Sequence, residues 1–384
     1  MSSQSSSAVE VTPLPREAGS KVNFGASITG VNLNDLDDGS FEKIREAIYV
    51  HNVVVVKGQH DLLPTKQFEL VHRLDPDAPA EHGFRTTEQG KKSTGILAKL
   101  KWYTIPGTAG VQLIGQGYQG DDHFGLKGIT MNGVGHASFH ADLLSEEDLA
   151  KGDTRFGIFH FDGIIYGSYP SRVTTLRSIR VPKGPLLTVR WDDGSGRTMK
   201  AQPGATAFIS NSQLYGLLTD EEKKLVENSY WEPAPHPFSW TEGRKARSTG
   251  LGIAPGGQVL DLDKLPPWTP EKVFCFPMVW MNPVTGERGF QVRSEVVRKI
   301  YLRHSPFEEP HVIDDLEYIR NWLNNILDRI MAPEYVSIPA VEEGDVVMFN
   351  NWGVIHSAIE CPASYGVRTG EYGRLFGEYS ADNS

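Results

Sequence analysis

A histidine and an aspartate stand two residues apart in the segment 157–163, which reads Gly-Ile-Phe-His-Phe-Asp-Gly. Successive side chains of a strand point to opposite faces, so an extended backbone would put His160 and Asp162 on the same face. One neutral nitrogen ligand beside one anionic oxygen ligand is two-thirds of the two-histidine, one-carboxylate site that holds non-haem Fe(II). The candidate for the third ligand is His356, far along the chain. The sequence therefore predicts a metal site of His160, Asp162 and His356, although such a pair alone is also an ordinary polar feature of strands.

The elements that must position these residues have the pattern of a sheet-rich domain. An unbroken run of valines at 53–56 indicates a buried strand, and short strands with Gly- and Pro-containing turns favour a sandwich or barrel. The fold class predicted is mainly β with flanking helices. Helices are predicted at 64–74, 220–227 and 313–331, and strands at 111–117, 156–162, 173–181, 186–191, 197–200, 205–209, 346–349 and 368–379.

Composition excludes several classes of protein. The chain of 384 residues has a formal net charge of -10 and no basic run, which argues against binding to nucleic acid or to an anionic membrane surface. No apolar stretch is long enough to span a membrane. Two cysteines, Cys275 and Cys361, fit a reducing compartment, so a cytoplasmic location is expected. The predicted organisation is a disordered tail over 1–15 and a single domain over 16–384, with irregular inserts near 75–108 and 230–272.

Over most of residues 20–380, the chain resembles the TauD/TfdA family of Fe(II)- and 2-oxoglutarate-dependent dioxygenases. The resemblance rests on the order of several segments, which are 51–56, the His-Phe-Asp motif, 203–208, 282–286 and 343–349 with the distal His356. The long inserts and the segment 352–357 resemble the fungal branch that contains xanthine dioxygenase. The resemblance implies a double-stranded β-helix, a jelly-roll or cupin-like core, with Fe(II) on His160, Asp162 and His356.

The same resemblance implies 2-oxoglutarate and O₂ as co-substrates. A guanidinium can hold the far carboxylate of 2-oxoglutarate through two parallel hydrogen bonds. By its position in the family's pattern Arg368, with 11 residues between it and His356, would be that clamp, and Thr206 would assist it. Arg374 is a rival for the clamp, and an exchange of roles between the two arginines is left open.

The final strand departs from the relatives where they bind their substrates. Taurine dioxygenase has a second arginine four residues after the clamp, whereas this chain has Tyr372 there, which argues against taurine. The xanthine enzyme has amide side chains in this region, and here Tyr372 and Arg374 replace them. Arg374 suits an anionic group, which favours a small amino acid or another carboxylic acid as substrate. Gln112 and Gln116, on one face of the strand 111–117, either line the same pocket or are ordinary sheet polarity.

The leading interpretation is an enzyme that oxidises a C–H bond of a small polar substrate and releases succinate and CO₂. Hydroxylation and a related oxidative ring closure are both compatible with it. The alternatives are a xanthine or purine hydroxylase, a non-catalytic jelly-roll protein that binds a small acid, and a zinc hydrolase that uses the same ligands. The expected partner is a small-molecule substrate, without nucleic acid or membrane, and a homo-oligomer is left open.

Overall fold

The computed structural model describes residues 9–78, 103–133, 139–241, 243–254 and 259–375, so most of the predicted insert at 75–108 lies outside the described residues. As predicted, the protein is rich in sheet and has few helices. The α-helices in the described ranges are α1 (Asp38–His51), α2 (Pro64–Leu74), α3 (Glu146–Ala150), α4 (Asn211–Gly216), α5 (Asp220–Glu227), α6 (Pro237–Trp240) and α7 (Leu316–Leu327).

The strands of the described ranges are mostly short. They are β1 (Glu10–Pro13), β2 (Ala26–Thr29), β3 (Val53–Val56), β4 (Tyr103–Thr104), β5 (Val111–Tyr118), β6 (Asp122–His123), β7 (Leu126–Lys127), β8 (Thr130–Met131), β9 (Asp153–Thr154), β10 (Val173–Arg180), β11 (Leu187–Arg190), β12 (Thr198–Ala201), β13 (Thr206–Ser210), β14 (Tyr230–Pro233), β15 (Phe276–Pro277), β16 (Val279–Met281), β17 (Arg288–Phe290), β18 (Val297–Leu302), β19 (His311–Ile313), β20 (Val346–Asn350), β21 (Val354–Ala358) and β22 (Arg368–Gly373).

The largest sheet runs in the order β1-β2-β3-β20-β10-β22-β5-β4, with β8 paired to β5. Its valine-rich strand β3 is buried on both faces. Val54 and Val56 pack with α1 and α2 on one side of the sheet, while Val53 and Val55 face the interior. This burial on both faces explains why β3 is a continuous apolar run and not an alternating one.

The segment that carries His160 and Asp162 lies against β21, which pairs in turn with β13. The predicted strand over 156–162 is wrong as a continuous element, because only isolated bridges form, at Phe156 and at His160. The backbone N–H of Asp162 donates to a side chain instead of a neighbouring strand. The alternation of faces still holds, since Phe159 and Phe161 are fully buried in the large aromatic core and leave His160 and Asp162 to face the other way.

Three predicted bounds are also wrong. The tail predicted over 1–15 is wrong for 10–13, because Glu10–Pro13 forms β1 and pairs antiparallel with β2, and residues 1–8 lie outside the described residues. The helix predicted over 313–331 is limited to Leu316–Leu327, because Asp315 caps its start by accepting from the N–H groups of Glu317 and Tyr318. The final strand ends at Gly373, and residues 376–379 of the prediction lie outside the described residues.

The insert predicted near 230–272 contains β14 and α6 among irregular turns. Within the described ranges, no helix is long and apolar enough to cross a membrane.

Helix α5 begins with the predicted capping box, which leads to a first testable prediction. Glu222 accepts from the Thr219 N–H and pairs with the Arg329 guanidinium at 2.6 and 2.7 Å. The hydrogen bond from Arg329 is the main cause that lowers the pKa of Glu222 to about 2. We expect Glu222→Gln to lower the free energy of unfolding by about 1 kcal/mol at pH 7, a value reduced for the partial solvent exposure of the pair.

The folded-state pKa of Glu222 lies below its unfolded value, so this stabilisation is present above about pH 4.5 and is lost as pH falls toward 2. Urea unfolding of parent and variant at pH 7 and at pH 3.5 tests it, with the exposed neighbour Glu221→Gln as control. A difference between parent and Glu222→Gln that grows on acidification contradicts this account.

Candidate metal centre

The structure brings His160, Asp162 and His356 together, although almost two hundred residues separate the first from the last. Their candidate ligand atoms all lie within 4.8 Å of one another. The Nε2 atom of His160 is 3.8 Å from Asp162 Oδ1, and that of His356 is 4.0 Å from Asp162 Oδ2. Reciprocal backbone hydrogen bonds of 2.9 and 2.8 Å between His160 and His356 fix the two histidines side by side.

Both imidazoles are held in the neutral form that can bind a metal. Burial lowers the pKa of His160 to about 3 and the pKa of His356 to about 4. The Nδ1 atom of His160 lies 2.8 Å from the Ile158 carbonyl oxygen, so we assign the proton to Nδ1, which leaves Nε2 with its lone pair toward Asp162. Two neutral nitrogen donors and one carboxylate are a donor combination that suits Fe(II).

The carboxylate of Asp162 is only 2% exposed and accepts three side-chain hydrogen bonds. Arg374 Nη1 lies 2.5 Å from Oδ1, while Thr174 Oγ1, at 2.9 Å, and the Tyr372 hydroxyl donate to Oδ2. Burial alone would raise the pKa of Asp162, but the charge of Arg374, the two histidines and the Tyr372 hydrogen bond hold it well below its usual range. The site therefore presents an ionised carboxylate to a cation.

Asn351 fixes the backbone on which this carboxylate stands. Its Oδ1 accepts from the Asp162 N–H at 2.7 Å, and its Nδ2 donates to the carbonyl oxygens of Asp162 and Ser171 at 3.1 and 2.7 Å. The side chain is fully buried. Sequence reasoning missed both Asn351 and Thr174. Asn351 lies five residues before His356, which is the only signal in the chain that could have drawn attention to it.

We expect Asn351→Ala to weaken metal binding by about 10-fold. Residues that hydrogen-bond to metal ligands and orient them commonly contribute a factor of about 10 to 100 to the metal affinity. It should also lower the free energy of unfolding by about 1–3 kcal/mol, since the buried N–H of Asp162 loses its acceptor. Calorimetric titration with Mn(II) and urea unfolding measure the two effects. The control is Asn350→Ala, which removes a buried amide that is hydrogen-bonded to the Asn52 side chain and not to Asp162. Equal metal affinities in the two variants would argue against an orienting role for Asn351.

A cavity next to the triad contains the predicted co-substrate residues. Arg368 and Thr206 both line it, and so does Phe208, whose ring lies 6.1 Å from the His356 ring. Within the described residues the Arg368 guanidinium makes no hydrogen bond or ion pair, and burial lowers its pKa while leaving it charged. Gly204 has a φ of 70°, and a Cβ there would lie 2.9 Å from Arg368 Cδ, so glycine leaves room for the clamp.

The other predicted site residues lie along the same face of two paired strands. In the antiparallel pair of β22 and β5, Tyr372 stands opposite Gln112, and Arg368 stands opposite Gln116. Gln112 is 1% exposed, and neither of its amide atoms has a hydrogen-bond partner among the described residues. Gln116 is half-buried, with its Nε2 3.9 Å from Cys361 Sγ. The two arginines of the final segment occupy different places, since Arg374 contacts Asp162 and Arg368 faces the cavity.

The fold and the triad define a class of protein that comparison with known sequences identifies. The family model described as taurine catabolism dioxygenase TauD, TfdA family, matches residues 120–369. The chain belongs to this TauD/TfdA family of dioxygenases and is therefore an enzyme.

Two curated relatives are similar over nearly their whole length. The alpha-ketoglutarate-dependent dioxygenase bsc9 of Alternaria brassicicola is 39% identical, covering 94% of this chain and 92% of its own. The alpha-ketoglutarate-dependent xanthine dioxygenase xanA of Emericella nidulans is 42% identical, covering 92% of each chain. Among solved structures, a taurine dioxygenase from Burkholderia xenovorans superimposes with a TM-score of 0.54 at 17% identity, covering 96% of this chain and 91% of the other, which shows a shared fold.

Proposed function

We propose that this protein is an Fe(II)- and 2-oxoglutarate-dependent oxygenase that oxidises a C–H bond of a small polar substrate. The observation that carries the proposal is the convergence of two neutral imidazoles and an ionised carboxylate beside a cavity lined by Arg368 and Thr206. The names of the relatives, which are alpha-ketoglutarate-dependent dioxygenases, support it. We also propose that the sheets form a double-stranded β-helix within a single domain that includes β1, in a cytoplasmic protein.

His160, Asp162 and His356 would hold Fe(II), and three protein ligands leave positions for the keto acid and for O₂. A bound metal would supply O₂ activation, with 2-oxoglutarate giving two electrons as it becomes succinate and CO₂ and the substrate C–H bond giving the other two. Arg368 would pair with the far carboxylate of 2-oxoglutarate, and the Thr206 hydroxyl would donate to it. The apolar side chains of Leu176, Phe208 and Val347 on the cavity wall would exclude water from the methylene groups.

We assign substrate recognition to the side chains on the interior face of β5 and to residues of the site that lie beyond this strand. The Gln112 amide is buried and offers one donor group and one acceptor, which suits a neutral polar group of a substrate. The sequence favours a small amino acid or other carboxylic acid, a preference that depended on Arg374, whose guanidinium is paired with Asp162 in the structure. A xanthine or purine hydroxylase is the second candidate, favoured by the relative named xanthine dioxygenase.

Succinate formation that depends on an added compound tests the proposal. Purified protein with Fe(II), 2-oxoglutarate and O₂ is screened against carboxylic acids, amino acids, xanthine and other purines, with His160→Ala as control. We expect one class to give succinate and oxidised product in equal amounts. Tight binding of a small acid without succinate from any compound would favour a binding protein. Turnover without O₂ would favour a hydrolase, for which the Arg368 cavity has no role.

A further inference from the structure

Two further arginines are buried in the segments that follow α6 and β17. Arg244 is 4% exposed and Arg293 is 8% exposed. The guanidinium carbon of Arg293 lies 5.1 Å from the centroid of the Phe238 ring. That of Arg244 lies 5.2 Å from the centroid of the Trp240 ring. Both rings belong to α6, so one short helix supports both cations through contacts between a guanidinium and an aromatic ring.

The hydrogen bonding of these two arginines is incomplete. Within the described residues, the Nε atoms of Arg244 and Arg293 have no hydrogen-bond partner, and neither has Oε2 of the buried Glu295. The distance from Glu295 Oε2 to Arg293 Nε is 3.6 Å, which is too long for a hydrogen bond. Buried polar atoms almost always have partners. The unpaired atoms of this cluster therefore indicate a place where a polar ligand binds.

The charges of the cluster are also unbalanced. Burial is the largest of the causes that lower the pKa of Arg244 to about 9, and the charges of Arg320 and Arg293 act in the same direction. Among the described residues, Glu295 is the carboxylate that opposes this shift. Arg244 is still charged at pH 7, so Arg244 and Arg293 together exceed Glu295 by one positive charge. A buried charge without a counter-charge is costly, and a singly charged anion would offset it.

Arg293 connects this cluster to the triad. Its Nη1 donates at 3.0 Å to the carbonyl oxygen of Phe161, which stands between two of the triad residues in the chain. Arg293 and Glu295 line a cavity together with His160. Arg368 lines a different cavity. An anion bound by the cluster would therefore lie next to the triad without occupying the place proposed for 2-oxoglutarate.

We propose that Arg244 and Arg293 bind the carboxylate of the primary substrate, which makes that substrate a monocarboxylic acid or an amino acid. The proposal rests on the proposed oxygenase function and names the substrate class of the same site. Guanidinium groups present planar pairs of donors that match the two oxygens of a carboxylate. The role that the sequence suggests for Arg374 falls to these two residues, because the charge of Arg374 is paired with Asp162.

Binding of simple carboxylates tests the proposal without turnover. Protein loaded with Mn(II) and N-oxalylglycine, an unreactive analogue of 2-oxoglutarate, is titrated calorimetrically with acetate, butyrate, hexanoate and octanoate, and with the primary amide of each. We expect at least one carboxylate to bind about 10-fold or more tightly than its amide. Arg244→Met and Arg293→Met should each weaken that carboxylate by about 10- to 100-fold and leave the amide unchanged, as expected for the loss of a hydrogen bond to a charged group.

Two conservative variants of the cluster refine the test. Arg293→Lys keeps the charge but not the paired donors, so it should recover part of the carboxylate affinity. Glu295→Gln removes the carboxylate that competes with the ligand, so it should tighten carboxylate binding. If a methionine variant does not fold, these variants and the comparison of carboxylate with amide in the parent decide the question.

The matched control is Arg155→Met, which removes another buried arginine. Arg155 is 5% exposed and pairs with Asp192 at 2.7 Å, so this variant should lose stability in urea and keep its carboxylate affinity. Arg244→Met should be at least as stable as the parent, because the charge that it removes has no such partner.

Amides that bind as tightly as every carboxylate would overturn the proposal. So would unchanged carboxylate affinities in Arg244→Met and Arg293→Met, together with a loss of stability like that of Arg155→Met, because the two arginines would then be structural. A parent protein that binds a carboxylate through Arg244 and Arg293 but forms no succinate with any compound would instead refute the proposed oxygenase function.

Discussion

Replacing Asp162 with asparagine should abolish succinate formation and raise the Kd for Mn(II) by more than about 100-fold. This loss of affinity is larger than the loss expected when a residue that only orients a ligand is removed. The amide keeps the shape of the side chain but removes the only anionic ligand of the triad, which leaves two neutral imidazoles to hold a divalent cation. The change also removes the Asp162 carboxylate from its buried ion pair with Arg374, so stability should fall by about 3–5 kcal/mol.

The control for this variant is Asp345→Asn, which makes the same chemical change at another buried and ion-paired carboxylate. Asp345 is 1% exposed and pairs with Lys57 at 2.5 Å, at the opposite end of β20 from the triad. This variant should lose stability and keep its metal affinity. Asp162→Asn with parental Mn(II) affinity would show that the triad is not the metal site.

Replacing Arg368 with methionine should raise the KM for 2-oxoglutarate roughly 100- to 1000-fold, because two charge-assisted hydrogen bonds contribute about 3–4 kcal/mol. The KM for the primary substrate should change little, since the Arg368 side chain faces the cavity with Thr206 and not Asp162. Arg368→Lys should restore part of the affinity, because a lysine keeps the charge but cannot form the two parallel bonds.

A second arginine on the same cavity provides the sharpest control. Arg180 also lines the cavity, but it is exposed and donates to the Gln119 carbonyl oxygen at 3.4 Å. Arg180→Met should change the KM for 2-oxoglutarate less than about twofold, as expected of a solvent-exposed charge. If Arg180→Met has the large effect and Arg368→Met does not, the co-substrate carboxylate lies at the rim and the clamp is wrongly assigned.

Short sequence patterns were sufficient to predict those strands and helices that a few neighbouring residues determine. The valine run gave β3, the capping box gave α5, and the proline at the start of α2 marked its first residue. The face shared by His160 and Asp162 followed from alternation, even though no continuous strand forms there. The bounds of α7 were too wide because Asp315 caps the helix inside the apolar stripe, and Ile313 belongs to β19.

Long-range contacts of the site could not be predicted in the same way. No local pattern links Thr174 to Asp162, since the two meet only when β10 packs beside the segment that carries the ligands. Arg374 was predicted to bind the substrate because the sequence shows the charge of this residue but not the group that pairs with it. In the folded chain that partner is a ligand carboxylate, so the charge is neutralised within the protein.

The most direct test of the metal site is the absorption spectrum of the protein with Fe(II) and 2-oxoglutarate under strict exclusion of O₂. A keto acid that chelates Fe(II) gives a weak charge-transfer band in the visible region. We expect this band in the parent, at higher 2-oxoglutarate concentrations in Arg368→Met, and not at all in His160→Ala or Asp162→Asn. A parent without the band, or a band of full intensity in His160→Ala, would contradict the assignment of His160, Asp162 and His356 as the iron site.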